Sequence, residues 1–284
     1  MNILVTGGCG YVGSNLCNHL VKSGHHVTSM DCLIDQPFYL DENIDIKQKN
    51  ILDITKNDLK NYDHIFHLAA LPRIGASFDD PVAYFLNNSH GTAVLLNALV
   101  GLKTTFTFIS SSSCYSCDEL NPYSCSKIMA ESVCRLYQKS FGINLSITRL
   151  FNVYGNNHLR NGKKACMMGL FENAILKNDI IRVYGSGEQR RDFTHINDIC
   201  SGLKQLMGFN IDGLVDLGFG ENYSVNEIIA MLGGEKIEFI SCRDGEGNNT
   251  LANVNKTNDY IKWNPEIKIS EYIMEFLSKK NKGS

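Results

Sequence analysis

Short apolar runs alternate with amphipathic segments along the first half of the chain. Apolar runs of roughly four to eight residues are typical of strands buried on both faces, and apolar positions three and four residues apart are typical of helices. Because consecutive β-α-β units are right-handed, such an alternation predicts an α/β, Rossmann-type, doubly wound parallel sheet. The pattern predicts strands at 2–6, 26–31, 45–52, 64–70, 104–110 and 144–151, and helices at 12–23, 81–99, 122–140 and 165–177.

After about Asn152 the alternation loosens into glycine- and asparagine-rich loops. The 284 residues suit one large domain or two small ones. We therefore predict a Rossmann domain over 1–152 and a smaller C-terminal, substrate-binding lobe over mainly 153–284, with part of 182–220 returning to the first domain. Since ligands of such sheets bind at the carboxyl ends of the strands, we expect the lobe to cover that edge.

The first predicted strand ends in T-G-G-C-G-Y-V-G, at residues 6–13, directly before a helix. Glycines at this junction make the tight turn, let the backbone approach a pyrophosphate and pack the helix against its strand. The helix N-terminus then faces the phosphates. The second strand ends at Asp31, about the expected 20 residues further on for a carboxylate on ribose hydroxyls. No arginine follows it to bind a 2′-phosphate, so these residues predict NAD rather than NADP.

Composition and charge mainly indicate which partners and sites are not expected. A net charge of −3 and a pI near 6.2 give no reason to expect nucleic acid or a membrane surface as partner. The first strand starts at Asn2, which leaves no room for a signal peptide, so we expect a cytoplasmic protein. The ten cysteines include Cys114-x-x-Cys117, but no second pair stands at a ligand spacing, and His64 and His67 fall on a buried strand. We expect packing thiols and no metal.

The helix predicted at 122–140 carries a candidate base. Asn121 and Pro122 form a preferred helix start, and Tyr123 and Lys127, four residues apart, share one face. Tyrosine near its usual pKa of about 10 is a weak base at neutral pH. A nearby ammonium and the positive charge of NAD favour the phenolate, so we expect a lowered pKa for Tyr123.

The same spacing also arises by chance, because 12 tyrosines and 27 lysines plus arginines give roughly one such pair in this chain. A solvated helix face is therefore the alternative explanation. Ser110–Ser113 adds weight, since it ends a predicted strand at the edge where ligands bind. A plain turn explains such a run, and so does a hydroxyl that bonds a substrate oxygen and relays its proton.

Taken together, these motifs resemble the extended short-chain dehydrogenase/reductase family, and more closely its NAD-dependent nucleotide-sugar epimerases and dehydratases. The similarity runs through most of the chain. The motifs that carry it are residues 6–13, Asp31, Asp53-Ile54, His67-Leu68-Ala69-Ala70, the serine run, Tyr123-x-x-x-Lys127, Arg149-Leu150-Phe151-Asn152, residues 191–198 and residues 216–220.

The resemblance implies a role for each matching residue. The cofactor set is Gly7, Gly10, Tyr11, Val12 and Gly13 at the pyrophosphate, Asp31 at the adenosine ribose, Asp53 and Ile54 near the adenine, and Leu68, Ala69, Ala70 and Asn88 along the cofactor. The catalytic set is Tyr123 as the base, Lys127 as its pKa modulator and ribose ligand, and Ser111 as the active-site hydroxyl. Asn152, Arg191 and Arg243 would hold the substrate diphosphate; for Arg191 and Arg243, ion pairs with Asp192 and Asp244 are the alternative.

Family members share oxidation of the sugar at C4, and the following step depends on further groups. The dehydratases carry an Asp-Glu pair where this chain has Ser112 and Ser113, and the decarboxylating enzymes usually keep a Glu there. By elimination the resemblance favours a 4-epimerase acting on a nucleotide-diphosphate hexose, with UDP as nucleotide. A dehydratase or 4-keto reductase, and a non-catalytic NAD-binding regulator, are the alternatives.

Two further expectations depend on the same resemblance, and the chain also departs from the family pattern in places. Thr250 stands where hexose-only epimerases carry a bulky Tyr, so N-acetylhexosamines are expected to be accepted. Ser116 and Ser124 replace glycines that are usual in the family, and the chain is short for a hexose epimerase. The family often dimerises through the helices near 81–99 and 122–140, so we expect a homodimer.

Overall fold

The computed structural model describes residues 1–32, 38–115, 121–162, 164–242, 245, 247 and 249–282. The strands are β1 Asn2–Thr6, β2 His26–Asp31, β3 Asp45–Gln48, β4 His64–His67, β5 Thr105–Ser111, β6 Leu145–Leu150, β7 Val153–Tyr154, β8 Ile181–Tyr184, β9 Arg190–Asp192, β10 Thr194–His195, β11 Leu214–Leu217, β12 Asn222–Ser224 and β13 Ile237–Ile240. The α-helices are α1 Tyr11–Lys22, α2 Lys56–Leu59, α3 Ile74–Ser77, α4 Pro81–Tyr84, α5 Gly91–Leu99, α6 Pro122–Phe141, α7 Met167–Lys177, α8 Ile196–Gln205, α9 Val225–Met231, α10 Val254–Asn258 and α11 Ile269–Lys282.

Within the described ranges, seven parallel strands form the main sheet, in the order β3-β2-β1-β4-β5-β6-β11. This order confirms the predicted α/β Rossmann-type fold. The strand order reverses at β1, which pairs with β2 on one side and β4 on the other, and ligands of such sheets bind at this switch point. In register, Thr6 lies between Met30 and His67, so the three strands end together.

Helices cover both faces of the sheet, which explains the continuous apolar strands. Ile3 and Val5 point into a core with α1 and α8, while Leu4 points into a second core with α5 and α6. All three side chains are fully buried. A strand that is covered on both faces has no solvent side on which polar residues would be favoured.

Most boundaries lie within a few residues of the predicted ones, and two differences bear on the site. The helix predicted at 81–99 runs through α4, a π-helical stretch at Phe85–His90, and α5. The strand predicted at 45–52 ends at Gln48. The Asn50 side chain there accepts a hydrogen bond from the Leu52 N–H and caps a 3₁₀ turn at Ile51–Asp53.

Residues beyond β6 build a third core and several small sheets. Of the later elements, β11 joins the main sheet and α8 packs into the core on one of its faces. A single buried carboxylate joins distant parts of this region. Asp192, fully buried, accepts hydrogen bonds from the backbone N–H groups of Phe219 at 2.8 Å, Gly220 at 2.9 Å and Ala252 at 3.1 Å. These bonds hold two loops, one at Phe219 and Gly220 and one at Ala252, in place beside the carboxyl edge of the main sheet.

No helix in the described part of the chain is long and apolar enough to cross a membrane. The described cysteines are all free thiols, and Cys117 lies outside the described residues.

Candidate active site

The glycine-rich turn between β1 and α1 has no room for side chains. Gly7 has φ +71°, and a Cβ there would lie 2.6 Å from the backbone nitrogen of Ala69. A Cβ on Gly13 would overlap the carbonyl oxygen of Gly7. Helix α1 begins at Tyr11, immediately after this turn, so its unpaired N–H groups and positive dipole end face the switch point. A cradle of this kind fits a pyrophosphate.

The Gly13→Ala variant tests this cradle. We expect it to fold but to lose at least about 10-fold in NAD affinity, because the added methyl must displace the Gly7 carbonyl and widen the turn. Isothermal titration calorimetry with NAD measures the effect. Gly24→Ala is the control: Gly24 follows the other end of α1 and a Cβ there meets no atom within 4 Å, but its φ is +82°, so this variant should lose some stability and keep wild-type NAD affinity. Equal NAD affinity in the Gly13 variant and wild type would contradict the prediction.

Asp31 ends β2 beside this turn, and its carboxylate accepts a hydrogen bond from the Cys9 N–H at 3.2 Å. The position suits a carboxylate that receives the ribose hydroxyls, as expected from the sequence. The cleft beyond it is lined by Lys49, Asn50 and Ile51.

Asp53 and Ile54 do not line the cleft, which corrects the expectation that they lie near the adenine. Asp53 is exposed on the 3₁₀ turn, and Ile54 is buried in the core under α5. Asn50 and Ile51 occupy the corresponding place because β3 ends four residues earlier than expected. Their location at the carboxyl end of that strand was the feature that could have selected them.

Asn88 also differs from expectation, since its side chain faces protein rather than cofactor. The Asn88 side chain accepts from the Leu71 N–H at 2.7 Å and donates to the Leu71 carbonyl at 3.1 Å and to Ser126 Oγ at 3.0 Å. It is buried, and its neighbour Asn87 lines the cleft instead. Asn88 therefore positions the segment that follows β4.

Helix α6 brings the candidate base to the cleft. Its cap forms as predicted: the Asn121 side chain accepts from the Ser124 N–H at 2.8 Å, and Pro122 opens the first turn. Tyr123 and Lys127 both line the cleft, on the same side of the helix. The Lys127 ammonium donates to the carbonyl of Ile109 at 2.6 Å, and burial lowers its pKa to about 8.

The pKa of Tyr123 differs from the sequence-based expectation. Burial raises the pKa of the phenol to about 12, although a hydrogen bond from Ser111 acts in the opposite direction. The Lys127 ammonium is bonded to the Ile109 carbonyl. In the protein alone, burial therefore affects the pKa of Tyr123 more than nearby positive charge does. A further positive charge beside the phenol is needed to make it a base at neutral pH.

Ser111, the last residue of β5, is held by the next turn. Its Oγ accepts hydrogen bonds from the Ser113 N–H at 3.2 Å and from Ser113 Oγ at 3.0 Å. Because Ser111 accepts both bonds, its own proton is directed to other acceptors, and the Tyr123 oxygen is one of them. The expected hydroxyl and the expected base therefore stand side by side.

A buried ion pair supports this arrangement from behind. Glu131 on α6 accepts from Arg149 Nε at 2.8 Å and Nη2 at 2.9 Å, and from Ser110 Oγ at 2.6 Å. Glu131 and Arg149 are only 1% and 9% exposed. The network links the helix of Tyr123 to the strands β5 and β6, next to Ser111.

The residues expected to contact the substrate line the far wall of the same cleft. Asn152, Arg191 and Thr250 are among its lining residues, whereas Arg243 lies outside the described residues. Asn152 donates to the Asp192 carbonyl at 2.9 Å. Thr250 is buried, and its hydroxyl has no hydrogen-bond partner among the described atoms.

The cleft as a whole has a volume of about 910 Å³ and extends from the glycine-rich turn to this far wall. The glycine cradle, the Asp31 carboxylate and the Lys127 ammonium are donors and acceptors that fit NAD. Among the described residues, no group of three or more His, Cys, Asp or Glu side chains is arranged to hold a metal ion.

Comparison with known proteins agrees with this site. The profile of the NAD dependent epimerase/dehydratase family matches residues 3–213. An uncharacterized UDP-glucose epimerase, YtcB, of Bacillus subtilis (strain 168) is 30% identical, and the match covers 95% of each chain. The UDP-glucuronic acid 4-epimerase of Bacillus cereus, solved with UDP-glucuronic acid and NAD, is 28% identical, covers 100% of both chains and has a TM-score of 0.85.

A relative with different chemistry has nearly the same fold. TunA, an NAD-dependent NDP-hexosamine 5,6-dehydratase, is 26% identical, covers 98% of both chains and has a TM-score of 0.88. The family match spans well over half of the chain. This chain belongs to the NAD-dependent epimerase/dehydratase family, and it is an NAD-dependent enzyme that modifies nucleotide sugars.

Proposed function

We propose that the enzyme epimerises a nucleotide-diphosphate sugar at C4 through a 4-keto intermediate, with UDP as the nucleotide. The observation that carries the proposal is the serine run Ser110–Ser113 at the end of β5. Ser111, Tyr123 and Lys127 line one cleft, and the positions that hold Asp and Glu in dehydratases are the hydroxyls of Ser112 and Ser113. A serine hydroxyl does not act as an acid or base near neutral pH, so these residues supply no groups for elimination of water.

Bound NAD would supply a reversible acceptor for the hydride at C4 of the sugar. Tyr123 removes the proton from O4 of the sugar, and Ser111 hydrogen-bonds the same oxygen and relays the proton. Lys127, charged below its pKa of about 8, stabilises the phenolate and binds ribose hydroxyls. Asn152, Arg191 and Arg243 hold the diphosphate, so the sugar can rotate while its nucleotide stays bound. Tyr123 then returns the proton to O4.

The alternatives differ in the mass of their products. Purified protein is incubated with NAD and, separately, UDP-glucose, UDP-N-acetylglucosamine and UDP-glucuronate, and products are separated by anion exchange and weighed by mass spectrometry. A new peak of unchanged mass supports epimerisation. A product lighter by one water would show a dehydratase, and NADH-dependent reduction of a separately supplied UDP-4-keto sugar would show a reductase. Absence of any product with tight NAD binding would favour a regulator.

Thr250 provides a specificity prediction for the same reaction. Its side chain lines the substrate wall, and its backbone is fixed by hydrogen bonds to Arg190 and Asp192. We expect Thr250→Tyr to reduce kcat/KM for UDP-N-acetylglucosamine by about 100-fold or more and to affect UDP-glucose less than about 3-fold, because the bulky ring fills the space of the acetyl group. Thr250→Ser is the matched control. Equal losses on both sugars, or none, would contradict the prediction.

We further propose that two copies form a homodimer through α4, α5 and α6. These helices pack on one another, and apolar side chains are exposed at Val82 on α4, Leu86 on the π-helical stretch before α5, and Met129 and Leu136 on α6. Exposed apolar side chains grouped on neighbouring helices favour association with a matching surface.

A further inference from the structure

The loop after β4, residues 68–73 and here named the Arg73 loop, holds a cation in an unfavourable backbone conformation. Arg73 has φ +83° and ψ 126°. The other described non-glycine residues with positive φ are Asn157 and Asn178, and asparagine tolerates this region. A long side chain at such angles is an outlier, and outliers of this kind cluster at ligand-binding sites.

Buried side chains fix this conformation from below. The Tyr84 hydroxyl donates to the carbonyls of Pro72 at 2.6 Å and Arg73 at 3.2 Å. Asn88 binds both the N–H and the carbonyl of Leu71. Four side-chain hydrogen bonds therefore hold three consecutive residues, which is the over-determination that a strained conformation requires.

The loop places Arg73 at the reacting end of the cleft. The ring of Tyr84 lies 6.3 Å from the ring of Tyr123, almost perpendicular to it, and its hydroxyl bonds the Arg73 backbone. Arg73 lines the cleft, and its Nη2 donates across it to the carbonyl of Lys164 at 2.6 Å. Because a guanidinium has five N–H donors, this one bond leaves donors for a ligand.

Ser112 and Ser113 line the cleft at the positions where dehydratases carry their acid and base. Loss of water from a 4-keto sugar removes a proton from C5 and a hydroxyl from C6, so the acid and base of a dehydratase must lie near C6. In this chain those positions are hydroxyls that line the cleft. The Ser112 hydroxyl can donate to an anionic group at C6, because the Ser113 hydroxyl already donates its proton to Ser111, whereas an Asp-Glu pair would repel that group.

We propose that the sugar carries a carboxylate at C6, as in a nucleotide-diphosphate hexuronate, and that Arg73 determines this specificity. The inference rests on the proposed function, because the C4 chemistry at Tyr123 sets the position of C6. A planar guanidinium matches the two oxygens of a carboxylate. Phosphate oxygens share this chemistry, but Arg73 is tied to the Tyr123 end of the cleft rather than to the Arg191 wall.

The test compares two substrates that differ only at C6. Wild type should epimerise UDP-glucuronate with a kcat/KM about 10- to 100-fold above that for UDP-glucose, the range expected for a charged hydrogen bond. Arg73→Gln should remove this preference by lowering the value for UDP-glucuronate alone. A loss of similar size on both substrates would show that Arg73 binds the diphosphate and would overturn the proposal, as would no loss on either.

Two further variants separate charge from structure. Lys164→Gln removes a cation from the same edge of the cleft but keeps the carbonyl that Arg73 bonds, so it should retain the preference. Arg73→Gly removes the guanidinium and relieves the positive φ, so its thermal midpoint should equal or exceed that of wild type while the preference is lost. A preference that survives in the Gly variant would contradict the assignment.

Binding distinguishes this inference from the proposed function. Calorimetry with the NAD-loaded protein measures the Kd of UDP-glucuronate, UDP-glucose and UDP without turnover. Wild type should bind UDP-glucuronate more tightly than UDP-glucose, and this difference should disappear in Arg73→Gln. That result supports the inference even if no epimer forms, in which case only the proposed reaction fails. Epimerisation of both sugars with equal affinities would leave the reaction standing and overturn the inference.

Discussion

Replacing Tyr123 by Phe should lower kcat by about 1,000-fold or more, while NAD affinity and thermal stability stay close to wild type. A positioned general base contributes roughly 100- to 10,000-fold. The phenyl ring keeps its packing against Tyr84, because only the hydroxyl is removed. Initial rates at saturating substrate, with calorimetry for NAD and a thermal melt, measure the three quantities.

The pH dependence of kcat/KM is a second test of the same variant. Because burial raises the pKa of the Tyr123 phenol, kcat/KM of wild type should increase with pH as the phenolate forms, and the residual rate of the Phe variant should lack this increase. Tyr137→Phe, on the same helix but distant from the cleft, is the matched control and should retain wild-type kcat. A Tyr123 variant with a kcat within 10-fold of wild type would exclude the phenol as the base.

Replacing Glu131 by Ala should lower the free energy of unfolding by about 3 to 5 kcal/mol, because it leaves the Arg149 guanidinium buried without its carboxylate. Ser110 loses its acceptor at the same time. Denaturant unfolding followed by circular dichroism measures the change. Glu238→Ala is the control: its ion pair with Arg182 is largely exposed, so the loss should be at most about 1 kcal/mol.

The loss of stability in acid should depend on the same ion pair between Glu131 and Arg149. Burial alone would raise the pKa of Glu131, but the hydrogen bonds and charge of Arg149 outweigh it and lower the pKa below the usual 4.5. The carboxylate therefore stabilises the fold above that pH, and the stabilisation is lost as the pH falls through the folded-state pKa. Glu131→Gln should show a weaker loss of stability between pH 6 and 3 than wild type. Parallel acid curves would contradict this assignment.

Local patterns predicted the fold and much of the cleft, because each pattern has a direct physical cause. The glycines of residues 7–13 are required by a close backbone approach, and Asp31 and Ser111 end predicted strands at one sheet edge. The structure brings these residues together with Tyr123 and Lys127 in a single cleft. Strand ends and helix faces are set by short-range sequence, so they could be predicted from the sequence alone.

The remaining features depend on tertiary contacts. Asn50 rather than Asp53 lines the cleft because a side-chain cap ends β3 early, and a shift of three residues is beyond what hydrophobic periodicity resolves. The positive φ of Arg73 is imposed by Tyr84 and Asn88, which lie 11 and 15 residues further along the chain. The raised pKa of Tyr123 follows from its burial, which no local sequence motif reports.

The carboxylate of Asp192 has a consequence for how such enzymes diversify. It fixes two loops, one at Phe219 and Gly220 and one at Ala252, while the cofactor half of the molecule is held by the main sheet. Doubling the length of a flexible loop between fixed ends costs only about 0.6 kcal/mol. Insertions and deletions between these anchors can therefore accumulate over evolutionary time and change the sugar that is accepted, while the inherited hydride chemistry is left untouched.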